Sequence, residues 1–244
     1  MRILIVNPNT TASMTEKAAE AARAVAAAGT TILAATSRMG PASIEGHYDG
    51  AIAVPGMLAE IRAAEAQGID AAIIACFDDT GLDAARALAS VPVLGLCQSA
   101  VTTASFLAHR FTVVTTLERS RVLLEDLTRH YGMGGRAKVR AADIPVLELE
   151  DAASGALDKL TAEIEAALAE DGAEAIVLGC AGMADLAGRL QARYGVPVID
   201  GVSAAVKMAE ALVSQRLTSS KRGSYAAPLP KAYAGAMAAF APVG

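Results

Sequence analysis

Two cysteines occupy matching positions in two similar stretches of the sequence. In residues 69–81 an apolar run ends at Cys76 and is followed by a turn of small and polar residues, and in residues 173–183 an apolar run ends at Cys180 in the same way. Each pattern predicts a strand, a cysteine, a turn and then a helix. Two equivalent thiols that face each other across a cleft could remove a proton from one face of a carbon atom and deliver one to the other.

The similarity between the two stretches continues along the chain. Residues 91–101 match residues 196–206, and their register differs by a single residue from that of the cysteine stretches. We infer an internal duplication. A chain of 244 residues is long enough for two halves of about a hundred residues each.

Strands and helices alternate in the predicted secondary structure of both halves. Besides the apolar runs before the two cysteines, strands are predicted at residues 2–7, 30–36, 91–96, 110–116, 138–144 and 196–199. Helices are predicted up to about residue 28 and at 51–67, 82–89, 99–107, 118–131, 156–170, 185–194 and 200–217. Residues 37–50 and 145–155 are predicted loops, and we expect residues 219–230 to return across the first half. We predict one domain from residues 1–98 plus 212–244, closed by the C-terminal tail, and a second from residues 99–211.

Composition and charge restrict the class of protein and its partners. With 53% hydrophobic and 19% charged residues the chain can bury a full core. The net charge of −5 and the absence of a Lys/Arg run argue against nucleic acid or a membrane surface as a partner. No signal segment and no apolar run of bilayer length is present in the sequence, so we predict a cytoplasmic protein. Three cysteines are then expected to be free thiols.

Polar residues follow the first strand of each half. In parallel α/β sheets ligands bind beyond the carboxyl ends of the strands, so Asn9, Thr115 and Thr116 are predicted to donate side-chain hydrogen bonds to a ligand. Asn7 lies at the same end, and for both Asn7 and Asn9 the alternative is that the side chain only satisfies the turn. His47 is expected to be a surface residue of the loop at residues 37–50, and Cys97 a buried apolar residue, because its counterpart in the second half is Val202.

The two matched cysteines favour proton transfer over other kinds of chemistry. A helix N-terminus beside each sulfur is expected to favour the thiolate. A metal site would need ligands close to a cysteine, and His47, His109 and His130 show no such spacing. A single nucleophilic cysteine would need a histidine partner and would leave the duplication unexplained. No glycine-rich phosphate loop is present. Two buried cysteines retained after the duplication, without chemical function, remain the alternative.

Four motifs in order resemble one family. NPNT at residues 7–10, SIEGHYD at 43–49, ACFDDTGL at 75–82 and GCAGM at 179–183 closely resemble the hydantoin racemase branch of the aspartate/glutamate racemase superfamily, which includes allantoin racemases. The resemblance covers nearly the whole chain. It implies an α/β fold of two pseudosymmetric domains, each with a four-stranded parallel sheet flanked by helices, and an active site in the cleft between them. It also implies cofactor-independent racemisation with Cys76 and Cys180 as the two bases.

The resemblance also bears on the substrate. Aspartate and glutamate racemases bind a free carboxylate through hydroxyl residues beside their cysteines, whereas Phe77 and Ala181 stand there in this chain, which favours a neutral ring. We predict a 5-monosubstituted hydantoin, with an enolate formed at C5. Backbone N–H groups are predicted to donate to the ring carbonyls at Phe77, Asp78, Ala181 and Gly182. Asp78 and Asp79 could accept from the ring N–H or could be solvated turn residues.

Several functions and one assembly state are therefore expected or left open. Allantoin is an alternative substrate, and a decarboxylase or cis-trans isomerase of the same superfamily is an alternative enzyme. A non-enzymatic small-molecule sensor would fit two lobes but lacks an effector segment. The known decarboxylases of the superfamily use one cysteine, which favours racemisation here. Ala-rich helices and the apolar tail at residues 232–243 predict a homo-oligomer with an even number of subunits.

Overall fold

Two parallel four-stranded sheets form the framework of the protein. The computed structural model describes residues 1–146, 148 and 154–242. The strands are β1 (Arg2–Asn7), β2 (Thr31–Thr36), β3 (Ala71–Ile74), β4 (Val93–Gly95), β5 (Phe111–Thr115), β6 (Ala137–Ala141), β7 (Ala175–Leu178) and β8 (Val198–Asp200). Their order is β2-β1-β3-β4 in the first sheet and β6-β5-β7-β8 in the second. The predicted α/β fold with two pseudosymmetric halves is confirmed.

The central strands of the two sheets pair in equivalent registers. Val6 of β1 lies opposite Ile74 of β3, and Val114 of β5 lies opposite Leu178 of β7. The side chains of β3 and β7 are buried throughout, as parallel strands with helices on both faces require. Each cysteine therefore follows the carboxyl end of the equivalent strand in its own sheet.

Two of the eight α-helices among the described residues pack against the sheet of the opposite half. The helices are α1 (Ala12–Val25), α2 (His47–Glu65), α3 (Leu82–Leu88), α4 (Leu96–Leu107), α5 (Glu118–His130), α6 (Ala156–Glu170), α7 (Ala187–Tyr194) and α8 (Gly201–Ser214). Helix α4 follows the first sheet but packs on β7 and β8, and α8 follows the second sheet but packs on β3 and β4. The chain thus crosses between the halves at two equivalent points. The predicted domain division after residues 98 and 211 stays a prediction.

Among the described residues, three apolar clusters make up the core. The largest combines residues of both halves, including Ile5, Ile73, Phe111 and Val177, with side chains of α4 and α8. A second cluster covers the other face of the first sheet, and a third covers the other face of the second sheet. Because the largest cluster is shared, separating the halves would expose buried apolar surface to water. The relative position of the two carboxyl edges is therefore fixed by packing.

Two helices begin earlier than the sequence pattern predicts. Helix α2 starts at His47, so the loop after β2 ends at Gly46, whose φ of 138° suits glycine, and the Asp49 carboxylate accepts the Glu45 N–H at 3.0 Å. Helix α4 starts at Leu96 instead of residue 99. The reason is that the side-chain carboxylate of Asp79 accepts the N–H groups of Cys97 and Gln98 in its first turn. The strand predicted at residues 138–144 ends at Ala141. Part of the loop predicted at residues 145–155 lies outside the described residues.

The C-terminal tail runs along α3 of the first half. Lys221 Nζ donates to the carbonyl oxygens of Arg86 and Ala87 at 2.6 and 3.0 Å, and Tyr225 Oη donates to Asp83 Oδ1 at 2.8 Å. Beyond Tyr225, residues 226–239 are all exposed. Within the described ranges, no helix is both long and apolar enough to cross a membrane.

Candidate active site

A cavity at the carboxyl edges of the two sheets brings both cysteines together. It is lined by Asn9, Met14, Ile44, Ala75, Cys76, Phe77, Asp78, Thr115, Thr116, Ser120, Leu124, Val146, Gly179, Cys180 and Ala181. Residues of both halves therefore enclose one space. Of the four residues predicted to donate backbone N–H groups to the substrate, Gly182 is the one outside this lining, although its backbone contacts the sulfur of Cys180.

The two cysteines are held by equivalent backbone hydrogen bonds. The residue before Cys76 donates its N–H to the carbonyl oxygen of Val6 at 2.8 Å, and the residue before Cys180 donates to that of Val114 at the same distance. The carbonyl oxygens of the cysteines close turns, accepting from Asp79 N at 3.2 Å and from Met183 N at 3.1 Å. The duplication seen in the sequence thus extends to the position of each thiol.

Cys76 lies against a carboxylate. Its Sγ donates to Asp78 Oδ1 at 2.8 Å, and the Thr80 hydroxyl donates to the same oxygen. Burial raises the pKa of the Cys76 thiol well above its usual value, and the negative charge of Asp78 raises it further. The thiol form of Cys76 is therefore favoured.

Cys180 has a different electrostatic environment. Burial raises the pKa of its thiol to about 11, while the N–H of Gly182 and the positive charge of Lys17 act in the opposite direction. Lys17 Nζ lies 3.4 Å from Asp185 Oδ1, an ion pair that joins α1 to the 3-10 helix Ala181–Leu186 after the cysteine. Among the described residues, no carboxylate is hydrogen-bonded to Cys180.

The expectation that the local helix ends favour thiolates is wrong for both cysteines. The N–H groups of Asp78 and Gly182 do lower the thiol pKa values of Cys76 and Cys180, but loss of hydration raises both values by more. Burial therefore favours the thiol form of both cysteines.

Asn9 presents a hydrogen-bond donor at the cavity. Its Oδ1 accepts from Asn7 Nδ2 at 2.8 Å and from the Thr11 N–H at 2.9 Å, which fixes the orientation of the amide. Its Nδ2 lies 3.5 Å from the Met14 Sδ, a weak acceptor. Asn7 also donates to Thr15 Oγ1 at 3.0 Å. Asn7 therefore satisfies the turn, and Asn9 retains donor capacity toward the cavity.

The remaining predicted residues differ in how far they are committed to the fold. The Thr115 hydroxyl donates to the Gly179 carbonyl oxygen at 3.2 Å and so ties β5 to the second cysteine stretch. Thr116 is buried and lines the cavity. His47 is exposed and lies outside the lining, as expected of a surface residue. Cys97 is fully buried, and its predicted apolar role is confirmed.

Asp79 is neither a solvated turn residue nor part of the cavity lining. It is buried, and its carboxylate accepts the N–H groups of Cys97 and Gln98, each at 2.9 Å, at the start of α4. Tyr131 Oη donates to Asp79 Oδ2 at 2.7 Å. Burial raises the pKa of Asp79 to about 6. A Cβ atom at Gly95 would come within 2.3 Å of the carboxylate carbon, so a side chain there would displace Asp79.

Seven residues that line the cavity were not predicted as site residues, namely Met14, Ile44, Ala75, Ser120, Leu124, Val146 and Gly179. Met14 and Ser120 lie near the starts of helices that directly follow β1 and β5, a position that could have been predicted from the sheet edge. Ile44 comes from the loop after β2, and loops of this length inside a compact domain are usually functional. Within the part of the chain that is described, no group of three His, Cys, Asp or Glu side chains could hold a metal ion.

Two equivalent α/β halves that each place a cysteine in a shared cavity define a racemase-type isomerase. The chain belongs to the Asp/Glu/Hydantoin racemase family, whose model matches residues 3–209. It is 57% identical over 236 residues to the hydantoin racemase of Rhizobium meliloti, covering 96% of this chain and 98% of that protein. It is 46% identical over 241 residues to the hydantoin racemase of Pseudomonas sp. (strain NS671), covering 98% and 97%. The predicted family is confirmed.

A solved structure shows the same fold over the whole length. The allantoin racemase from Klebsiella pneumoniae has a TM-score of 0.96 and 49% sequence identity, with 100% of both chains covered. The relatives thus include proteins named for hydantoin and for allantoin. The residues around the cavity must therefore be used to choose between these substrates.

Proposed function

We propose that the protein racemises 5-monosubstituted hydantoins without a cofactor, by proton transfer between C5 of the ring and the sulfurs of Cys76 and Cys180. The observation that carries this proposal is the presence of both thiols in one cavity, each on the equivalent turn of its own half. One sulfur in its thiolate form removes the C5 proton. The other, as a thiol, delivers a proton to the opposite face. A carboxylate-binding hydroxyl is not needed, because the substrate is a neutral ring.

Removal of the C5 proton forms an enolate, whose negative charge is concentrated on a carbonyl oxygen. Asn9 Nδ2 and the backbone N–H groups of Phe77 and Ala181 are proposed to donate to the ring carbonyls, with Thr116 as a further donor. The N–H groups of Asp78 and Gly182 contact the cysteine sulfurs, so they are proposed to stabilise the thiolates instead. This division gives both the base and the enolate hydrogen-bond donors.

Apolar side chains in the cavity favour an apolar substituent at C5. They come from both halves and comprise Met14, Ile44, Phe77, Leu124 and Val146. Full burial of a substituent of leucine or phenylalanine size in such surroundings is worth about 1.5–3 kcal/mol, whereas a ureido group would need polar partners there. Allantoin remains the second candidate because of the similarity to an allantoin racemase and because Ser120 supplies a hydroxyl. A decarboxylase or cis-trans isomerase is disfavoured by the paired cysteines.

Polarimetry of a small panel tests the substrate. Enantiomerically pure 5-benzylhydantoin, 5-isobutylhydantoin and allantoin are incubated with the protein, and the decay of optical rotation is followed. The Cys76→Ser/Cys180→Ser variant corrects each substrate for spontaneous racemisation. We expect both apolar hydantoins to racemise faster than allantoin. Faster conversion of allantoin would favour the second candidate, and no conversion of any member would contradict the proposed function.

We also propose a homo-oligomer with an even number of subunits, located in the cytoplasm. Large apolar side chains are exposed on several surfaces, among them Phe106 at 79% and Leu229 at 76% exposure. Exposed apolar surface is often covered by a second subunit. The three cysteines are free thiols, which fits a reducing compartment.

A further inference from the structure

The two halves of the candidate active site differ in the residues that follow each cysteine. Two residues after Cys76 the chain has Asp78, whereas two residues after Cys180 it has Gly182. Four residues after each cysteine it has Thr80 in the first half and Ala184 in the second.

The turn itself does not require the acidic residue. Both cysteines close an i to i+3 turn through their carbonyl oxygens, and the second half forms this turn with glycine at the position of Asp78. Thr80 and its counterpart Ala184 lie one residue beyond the turn. Asp78 and Thr80 are therefore additions to a turn that folds without them. Their side chains converge on Cys76, since the thiol and the Thr80 hydroxyl both donate to Asp78 Oδ1.

We propose that Asp78 is a third proton-transfer group of the site, which accepts the thiol proton of Cys76 when this sulfur acts as the base. This role rests on the proposed two-cysteine racemisation. Asp78 lines the same cavity as both cysteines, so the three groups reach one substrate. Thr80 is a positioning residue, because its hydroxyl orients the carboxylate oxygen that faces the sulfur.

The proton balance of the proposed step is complete without another reactant. The S–H bond of Cys76 breaks and an O–H bond forms on Asp78. The sulfur then takes the proton from C5, so the C–H bond breaks and a new S–H bond forms. The thiol of Cys180 delivers its proton to the opposite face of C5, and its S–H bond breaks as the new C–H bond forms. The site begins with one negative charge on Asp78 and ends with one on Cys180.

The proposed step gives the two sulfurs different means of ionisation. Cys76 transfers its proton to the carboxylate with which it is already hydrogen-bonded. The Cys180 thiolate is stabilised by the Gly182 N–H and by the positive charge of Lys17, which is held in place by Asp185. Removing the Asp78 carboxylate should therefore impair one direction of proton transfer and spare the other.

Deuterium exchange in single-cysteine backgrounds tests this assignment. In Cys180→Ser, exchange at C5 in D2O depends on Cys76, and in Cys76→Ser it depends on Cys180. We expect Asp78→Asn to lower the exchange rate of 5-benzylhydantoin by about 100-fold in the Cys180→Ser background, the low end of the usual effect of an acid–base group. In the Cys76→Ser background the same substitution should not lower the rate, because Asp78 affects Cys180 only through a negative charge that raises the pKa of its thiol. Retained exchange in this background also shows that the variant is folded.

A matched carboxylate supplies the control. Asp83→Asn removes an exposed acid that is hydrogen-bonded to Tyr225 and should leave exchange in Cys180→Ser unchanged. Unchanged or faster exchange in Asp78→Asn/Cys180→Ser would overturn the proposal. The negative charge of Asp78 would then only disfavour the thiolate of Cys76 and would not accept its proton. Equal losses in both backgrounds would also overturn it, in favour of a binding role. Absence of exchange in Cys180→Ser with Asp78 intact would contradict the proposed two-cysteine function. The role of Asp78 as acceptor of the Cys76 proton would then fall as well.

Discussion

Tyr131 Oη donates to Asp79 Oδ2 at 2.7 Å and joins the turn after Cys76 to the residue that ends helix α5 of the second half. The same carboxylate accepts two N–H groups at the start of α4. Asp79 itself has a φ of 50°, a conformation that is uncommon outside glycine and is held here by these contacts. One buried side chain thus links the first cysteine turn, the crossing helix and the second half.

We expect Tyr131→Phe to lower the free energy of unfolding by about 1.5–3 kcal/mol, because Asp79 loses a hydrogen bond to a buried charge. Urea unfolding at pH 7 measures the change. Tyr225→Phe is the matched control, since it removes a tyrosine–aspartate hydrogen bond at the surface, and it should cost less than about 1 kcal/mol. Equal losses for the two variants would contradict the role of Asp79 as a buried link.

The pH dependence of stability should reveal two carboxylates with opposite behaviour. Burial raises the pKa of Asp79 to about 6, so its protonated form favours the folded state. This contribution is complete below its unfolded value, near 4, and is lost as the pH rises through about 6. The free energy of unfolding of the wild type relative to Asp79→Asn should therefore fall between pH 4 and pH 7.

Asp171 provides the comparison of opposite sign. Hydrogen bonds from Arg140 lower the pKa of Asp171 to about 2, so its ionised form favours the folded state. Its contribution is present above the unfolded value near 4 and is lost as the pH falls toward 2. Urea midpoints of the wild type and of Asp171→Asn should converge in acid. A gap that widens on acidification would contradict the assigned direction.

Parts of the fold and site could be predicted because they depend on local sequence. The apolar runs before Cys76 and Cys180 have strand composition, and the duplication indicates that both thiols occupy equivalent places. Asn9, Thr115 and Thr116 were found from their position after a central strand. The start of α4 was missed because its N–H groups are satisfied by Asp79, a residue 18 positions before Cys97.

Other features depend on tertiary structure alone. Sequence shows that a turn and a helix follow each cysteine, but not how far burial removes water from the sulfur, and so the direction of the pKa shift was predicted wrongly. Ile44 and Val146 reach the cavity from loops without a periodic pattern. The hydrogen bond from Cys76 to Asp78 depends on side-chain conformation, which the sequence does not specify.

Cys97→Ser should retain racemase activity, since this residue is buried away from the cavity. A buried hydroxyl without a partner costs about 1–3 kcal/mol of stability, so the urea midpoint should fall while the turnover number is kept. Polarimetry and urea unfolding on the same preparation measure both quantities. A folded but inactive variant would assign Cys97 a chemical role and contradict the pairing of Cys76 with Cys180.

The exposed apolar side chains of the tail and helices lead us to expect an oligomer with an even number of subunits. Multi-angle light scattering at micromolar concentration should give a mass that is an even multiple of the monomer mass, since homo-oligomers usually have closed symmetry based on twofold contacts. A monomer mass alone, or an odd multiple, would contradict the prediction.

The central claim is that Cys76 and Cys180 act on opposite faces of one carbon atom. Proton NMR in D2O tests it most directly, with pure L and D substrate and the variants Cys76→Ser and Cys180→Ser. Neither variant should racemise, because inversion needs both an acceptor and a donor. Each should exchange the C5 hydrogen of one enantiomer only, and the two variants should act on opposite enantiomers. Racemisation by either single variant, or exchange of the same enantiomer by both, would contradict the account.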